Sequence, residues 1–212
     1  MKLITNTRRW LGRSRAKLRR WTEFRKNGIF VSRGTYIHPG TTIGRCSRIN
    51  HVSHIGLCKI GAYCAVGGRL IVRSSDHHTR YLNMQDWAQQ HIIRSGVKVV
   101  GKSAGDVEIG NAVWIGDSVI ILSGVKIGDG AIIGAGSVVT ASIPAYAVAV
   151  GNPARVIKMR FSDETISILA GIKWWNWDRE LIQDRRKLFE TDLTAISPTE
   201  LRQLLADLGV TD

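Results

Sequence analysis

The chain of 212 residues carries 30 Lys or Arg against 17 Asp or Glu, a formal net charge of +13, and is 44% apolar. That apolar share suffices for a packed core, and with no run of 18 apolar residues no membrane-crossing helix is expected. Three cysteines, Cys46, Cys58 and Cys64, cannot all pair and show no zinc spacing, and the N-terminus lacks an apolar secretory stretch. A reducing cytoplasm is the expected setting.

In chain order, the charge comes first. Residues 1 to 26 hold ten Lys or Arg, opposed by Glu23 alone, so most of the net charge sits there. Leu11, Leu18 and Trp21 recur near helical spacing among those arginines. Residues 1–28 are therefore expected to form a basic amphipathic arm. Its apolar stripe could rest on an anionic membrane surface, pack on a neighbouring subunit, or stay solvated. No binding motif accompanies the charge, so no nucleic-acid partner is expected.

From residue 37 a beat of six takes over. Ile37, Ile43, Ile49 and Ile55 are evenly spaced; after one dropped residue Ile60, Val66 and Val72 resume. The beat returns in Ile109, Ile115, Ile121, Ile127, Ile133 and Val139, shadowed two residues earlier by Val107, Val113, Val119, Val125 and Ala131. Six matches neither a helix nor a continuous strand, but it fits a short strand plus a turn. Alternation turns Val113 and Ile115 inward and Trp114 outward. Glycines directly after the guides, such as Gly110, Gly116, Gly128 and Gly134, are expected at bends needing positive φ. Three hexads close a triangle, so Ile109 should stack on Ile127 and Ile115 on Ile133, roughly 4.8 Å apart. The predicted fold is a parallel β-helix over 29–157, an all-β solenoid with two coils before residue 73 and two from residue 107.

Residues 73–106 break the rhythm. A long interruption in a regular solenoid is the place to look for chemistry, and this one opens with Asp76, His77 and His78. Beyond residue 157 the pattern becomes helical, making 158–212 a C-terminal helical region. Ser162 starts one helix, Leu181, Ile182, Leu188 and Phe189 mark a second, and "SPTE" at 197–200 is a capping box. The tryptophans of "KWWNWD" read as tail packing.

Taken together, the hexads, "DHH", "IGNAVWIG", "IGAGSVVT", "GNPARVIK" and "IKWWNW" resemble the hexapeptide-repeat acyltransferases over residues 35 to about 178. The nearest branch contains the xenobiotic (streptogramin and chloramphenicol) acetyltransferases and polysaccharide-modifying relatives. The resemblance implies a left-handed β-helix, a homotrimer, and acetyl-CoA bound between subunits as co-substrate. It places His77 as general base, with His78 the other candidate. A neutral imidazole can take a proton from an acceptor hydroxyl as it attacks a thioester. Asp76 or a backbone carbonyl is left to orient the ring.

The same resemblance puts Trp114 beside the thiol and makes Gly134, Ala135, Thr140, Arg155 and Lys158 coenzyme contacts. Arg155 supplies a planar donor fork suited to phosphate. Ala141 stands where relatives carry Lys, and Asp117 where sugar acetyltransferases carry Ser. Zinc-binding relatives use two histidines five apart. His38, His51, His54 and His91 offer no such pair, so no metal is expected.

The function implied is acetyl transfer to a sugar hydroxyl, in surface polysaccharide assembly. A nucleotide-linked amino sugar or a xenobiotic alcohol is the alternative acceptor, and a non-catalytic scaffold the alternative class. Tyr81, Asp86 and Trp87 are further candidates for acceptor contact.

Overall fold

The computed structural model describes residues 19–99, 101 and 103–210. Its centre is a left-handed parallel β-helix of three sheets, with seven, five and four strands. We name the faces after an outward residue. The Trp114 face stacks Val31, Ile49, Val66, Ile115, Ile133 and Ala149 inward. The Ile120 face stacks Ile37, Ile55, Val72, Ile121 and Val139. The Lys126 face stacks Ile43, Ile60, Ile109 and Ile127, with Ile143 bridged beyond.

The stacking follows from the hexads. Ile115 pairs with Ile133, and Ile109 with Ile127. From Ile49 upward the guides are at most 5% exposed, and the shadow series from Val107 to Ala131 is likewise buried. Each inward aliphatic touches its counterparts above and below, and this burial, about 25 cal/mol per Å² of apolar area, holds the prism. Val31 adds an earlier guide than the repeat alone suggested, and the dropped residue is absorbed where Ile60 pairs with Ile43. The solenoid's interruption falls inside a coil, not between coils: Val72 closes the second face and Val107–Ile109 resumes on the third.

The guide glycines correct one expectation. Gly110, Gly116, Gly128 and Gly134 do not have positive φ. A Cβ on Gly116 would lie 2.6 Å from the Ala135 amide nitrogen, and one on Gly110 2.7 Å from that of Asp129. Adjacent coils approach too closely at the corners for a side chain. Positive φ occurs two residues later, at Gly130, Gly136, Ala112 and Ser118.

Outward residues divide the faces. The Lys126 face shows Thr42, Lys59, Glu108, Lys126 and Ser142, with a Lys126–Glu108 ion pair at 3.7 Å. The Trp114 face shows Phe30, Arg48, Ala65, Trp114, Ile132 and Val148; the Ile120 face shows Tyr36, His54, Ile71, Ile120 and Val138. The Lys126 face is the most polar of the three, and the other two are mainly apolar.

Both ends are covered. Residues 19–26 are helical, Phe24 is buried, and Trp21 packs against the core with Ile37 and Ile43. Arg20 donates to the carbonyls of His38 (3.2 Å) and Thr41 (2.8 Å). The arm's described part thus spends its apolar side chains on the end of its own prism. Leu11 and Leu18 lie outside the described residues. No described helix is long and apolar enough to cross a membrane.

At the other end, Ala147–Gly151 and Ala154–Met159 form an antiparallel hairpin around a cis Asn152–Pro153 bond. The tail follows: Asp163–Ile172 capped by Ser162, and Pro198–Asp207 with the Ser197–Glu200 capping box. The expected middle helix is two short ones, Arg179–Asp184 and Arg186–Glu190, broken at Arg185, whose side chain donates to the carbonyls of Leu208 and Gly209. Trp174 sits 4.8 Å from Tyr63, and Arg45 donates to the carbonyls of Trp175 and Trp177, fastening the tail to a prism corner.

Burial pushes the Cys58 thiol up to about 12 and the Cys64 thiol to about 11. Both therefore behave as small core side chains and not as nucleophiles. All three cysteines are free.

Candidate active site

The loop that leaves after Val72 is a built structure. Its two arms run side by side: the His78 amide donates to the Val99 carbonyl at 3.1 Å. A Cβ on Gly101 would collide with the Asp76 carbonyl oxygen, so a glycine is needed there. Buried Ser123, on the coil beneath, clasps both ends. Its Oγ donates to Asp76 Oδ2 (3.4 Å) and accepts from the Ala104 amide (3.3 Å). A short helix, Asp86–His91, completes the loop.

Within this frame His77 is exposed, and its Nδ1 lies 2.8 Å from the Met84 carbonyl oxygen. A carbonyl can only accept, so Nδ1 carries a proton, and in the neutral ring the lone pair belongs to Nε2. This is the form a general base needs. The carbonyl orients the ring; Asp76, the other option, is bonded to Ser123 instead. His78 packs edge-on to Tyr81 at 6.1 Å. Asp86 is also occupied within the loop, accepting from the Val99 amide (3.3 Å) and from Gln90.

Three of the remaining histidines make side-chain contacts elsewhere. His38 Nδ1 accepts from the Gly40 amide at 3.1 Å, His54 stacks on Tyr36, and His91 stacks on Trp87. Among the described residues, no cluster of three His, Cys, Asp or Glu side chains could hold a metal.

The other candidates lie elsewhere on the prism. Trp114, 56% exposed, stands on its own face beside Ala65 and Ile132. Gly134 and Ala135 form the corner between the Trp114 and Ile120 faces, directly above Asp117, whose Oδ1 accepts from the Gly68 amide. Thr140 follows Val139 at the corner between the Ile120 and Lys126 faces, the same corner that carries the His77 loop. Arg155 and Lys158 are exposed on the final strand, paired with Val150 and Val148.

Within one chain the candidates thus fall into two separate groups. His77 and Thr140 occupy one corner; Trp114, Gly134, Ala135, Arg155 and Lys158 occupy the opposite face and its borders. A cavity of about 570 Å³ runs along the Lys126 face and another of about 410 Å³ lies under the tail tryptophans; none of the candidates lines either.

With this geometry in place, comparison with known proteins is decisive. The bacterial transferase hexapeptide (six repeats) family matches residues 106–141. A chloramphenicol acetyltransferase of Morganella morganii is 38% identical over 169 residues, spanning 74% of this chain and 78% of that protein. This chain belongs to the hexapeptide-repeat acetyltransferases. A second chloramphenicol acetyltransferase, from Klebsiella aerogenes, is 40% identical over 133 residues, covering 58% of this acetyltransferase and 61% of its own length. Among solved structures, a variant of AntD, an N-acyltransferase from Bacillus cereus in complex with dTDP and coenzyme A, superposes with a TM-score of 0.53. It is 26% identical over 68% of this acetyltransferase and 75% of that chain.

The sequence alone missed Met84, Val99 and Ser123 in this acetyltransferase. Met84 and Val99 act through backbone groups, which leave no residue signature. Ser123 is hidden among the corner serines.

Proposed function

We propose that the enzyme transfers the acetyl group of acetyl-CoA to a carbohydrate hydroxyl, in cytoplasmic assembly of a surface polysaccharide. The site would lie between neighbouring copies of a homotrimer. The observation that carries the reading is the His77–Met84 hydrogen bond, which occupies Nδ1 and leaves Nε2 as the ring nitrogen open to a substrate on an exposed residue. The His77 imidazole accepts the acceptor proton as the hydroxyl oxygen bonds to the acetyl carbonyl carbon. It then returns that proton to sulfur as the C–S bond breaks. No covalent enzyme intermediate is needed when both substrates are held together.

Two apolar outward faces support a site shared between copies, because large exposed apolar surfaces are ordinarily covered. His77 and Trp114 stand on opposite sides of one prism and can meet only if a second prism offers its Trp114 face to the first one's loop. The Gly134–Gly136 turn fits a pantetheine arm. Ala135 and Gly136 are exposed, and nothing lies within 4 Å of a Cβ on Gly136. Arg155 and Lys158 would hold the phosphates, and neither is in an ion pair among the described residues.

The carbohydrate acceptor is supported by the exposed Trp87 indole, held by stacking on His91 at 5.1 Å, a flat surface for the C–H face of a sugar ring. A xenobiotic alcohol is the second reading, favoured by the identity to the Morganella morganii enzyme. The test is a screen of labelled acetyl-CoA against oligosaccharides, nucleotide-linked amino sugars, chloramphenicol and streptogramins. The reading predicts label on a sugar oxygen, removed by mild base. Label on a sugar nitrogen or only on an antibiotic would overturn the acceptor assignment, and no acetyl-CoA binding would leave a scaffold.

A further inference from the structure

We infer that Asn83 is a positioning residue for acetyl transfer, aiming the His77 imidazole through the Met84–Gln85 peptide. The inference rests on the reading of His77 as the base. His77 Nδ1–H points at the Met84 carbonyl oxygen at 2.8 Å. That carbonyl shares a peptide unit with the Gln85 amide, which donates to Asn83 Oδ1 at 3.1 Å. A trans peptide is planar, so fixing the direction of its N–H fixes that of its C=O. The chain Asn83 Oδ1, Gln85 N–H, Met84 C=O and His77 Nδ1–H is one continuous hydrogen-bond relay. Each member polarises the next.

Asn83 is itself held on both sides. Its Nδ2 donates to the Gln85 carbonyl (2.9 Å) and to Gln89 Oε1 (2.8 Å), on the following helix. Gln85 Oε1 in turn caps that helix, accepting from the Ala88 amide at 2.9 Å. The amide side chain therefore stitches the residue before Met84 to the helix after it, with the carbonyl that meets His77 in between. A side chain lacking either the acceptor or the two donors cannot close this clasp. Asp at 83 would keep the acceptor and lose both donors. The catalytic contact belongs to His77; Asn83 acts only through the peptide.

The experiment uses the full-length enzyme with acetyl-CoA and the best acceptor of the screen, comparing His77→Ala, Asn83→Ala, Gln89→Glu and Gln89→Met. Asn83→Ala should lower kcat roughly 10–100-fold with the KM for acetyl-CoA within about twofold, since the loss is one of aim. Gln89→Glu keeps an acceptor for Nδ2 and should retain turnover, whereas Gln89→Met should lower kcat, by less than Asn83→Ala does. Nitrogen-15 spectra of labelled histidine, with His77 assigned by its disappearance in His77→Ala, give a readout independent of activity. The native enzyme should show His77 protonated at Nδ1, and Asn83→Ala should show both tautomers. Native turnover in Asn83→Ala, or lost turnover with an unchanged His77 tautomer, would overturn the inference and leave the base intact. Native turnover in His77→Ala would overturn both.

Discussion

Replacing His77 by Ala is expected to lower kcat about 10³-fold, within the range a positioned general base supplies, with little change in the KM for acetyl-CoA. Of the coenzyme contacts, Gly134, Ala135, Arg155 and Lys158 lie on another corner and another face, and Thr140 alone shares the His77 corner, so binding should persist when the imidazole is removed. His78→Ala should cost far less, because His78 turns towards Tyr81 and its firm tie to the loop is a backbone bond to Val99. Steady-state release of coenzyme thiol measures both. A His77→Ala enzyme within about threefold of native kcat would remove the base from the mechanism.

The second large effect is structural. Ile121 is fully buried, stacked between Val72 and Val139 on the strand that precedes Ser123. Ile121→Ala removes three carbons from a close-packed column whose neighbours are fixed by strand pairing, so the space cannot collapse. A loss of about 3 kcal/mol is expected, which for a chain of this size lowers Tm by roughly 6–12 °C. Lys126→Ala gives the contrast. Its side chain points out and its ion pair with Glu108 is solvent-exposed, so the change should stay within about 0.5 kcal/mol. Calorimetry of the two variants would show whether the aliphatic ladder carries the fold. Equal shifts would argue that it does not.

The fold was legible because its cause is periodic. A three-sided coil returns each guide to the same wall, so Ile115 and Ile133 are related in sequence and in space by one rule. The corner glycines were legible in position but not in reason. Backbone proximity between coils is a tertiary fact, and the hexad alone suggested φ. The arm shows the same gap: a stripe of Leu and Trp among arginines records that a surface is covered, not which one. Trp21 covers the prism's own end.

The site divides similarly. His77 could be singled out by its place at the start of an interruption and by family resemblance. The carbonyl that orients it and the Val99 amide and carbonyl that tie Asp86 to His78 are main-chain groups common to every residue, and the Asn83 side chain reaches His77 only through such a group. From the sequence, Asp76 is a candidate to orient the ring and Asp86 a candidate for acceptor contact. In the structure their oxygens are committed to Ser123, Val99 and Gln90.

The proposed division of the site between two prisms makes complementation between chains the most direct measurement. His77→Ala and Trp114→Ala chains, each with a few per cent of native turnover at most, would be unfolded together in equal amounts and reassembled. In a closed threefold ring, about three quarters of random trimers are mixed, and each mixed trimer pairs one intact loop with one intact Trp114 face. The account predicts recovery of about a quarter of native turnover, since one site in three is restored in those trimers. Turnover no higher than that of the two parents would contradict it, and would place His77 and Trp114 in different sites or in none.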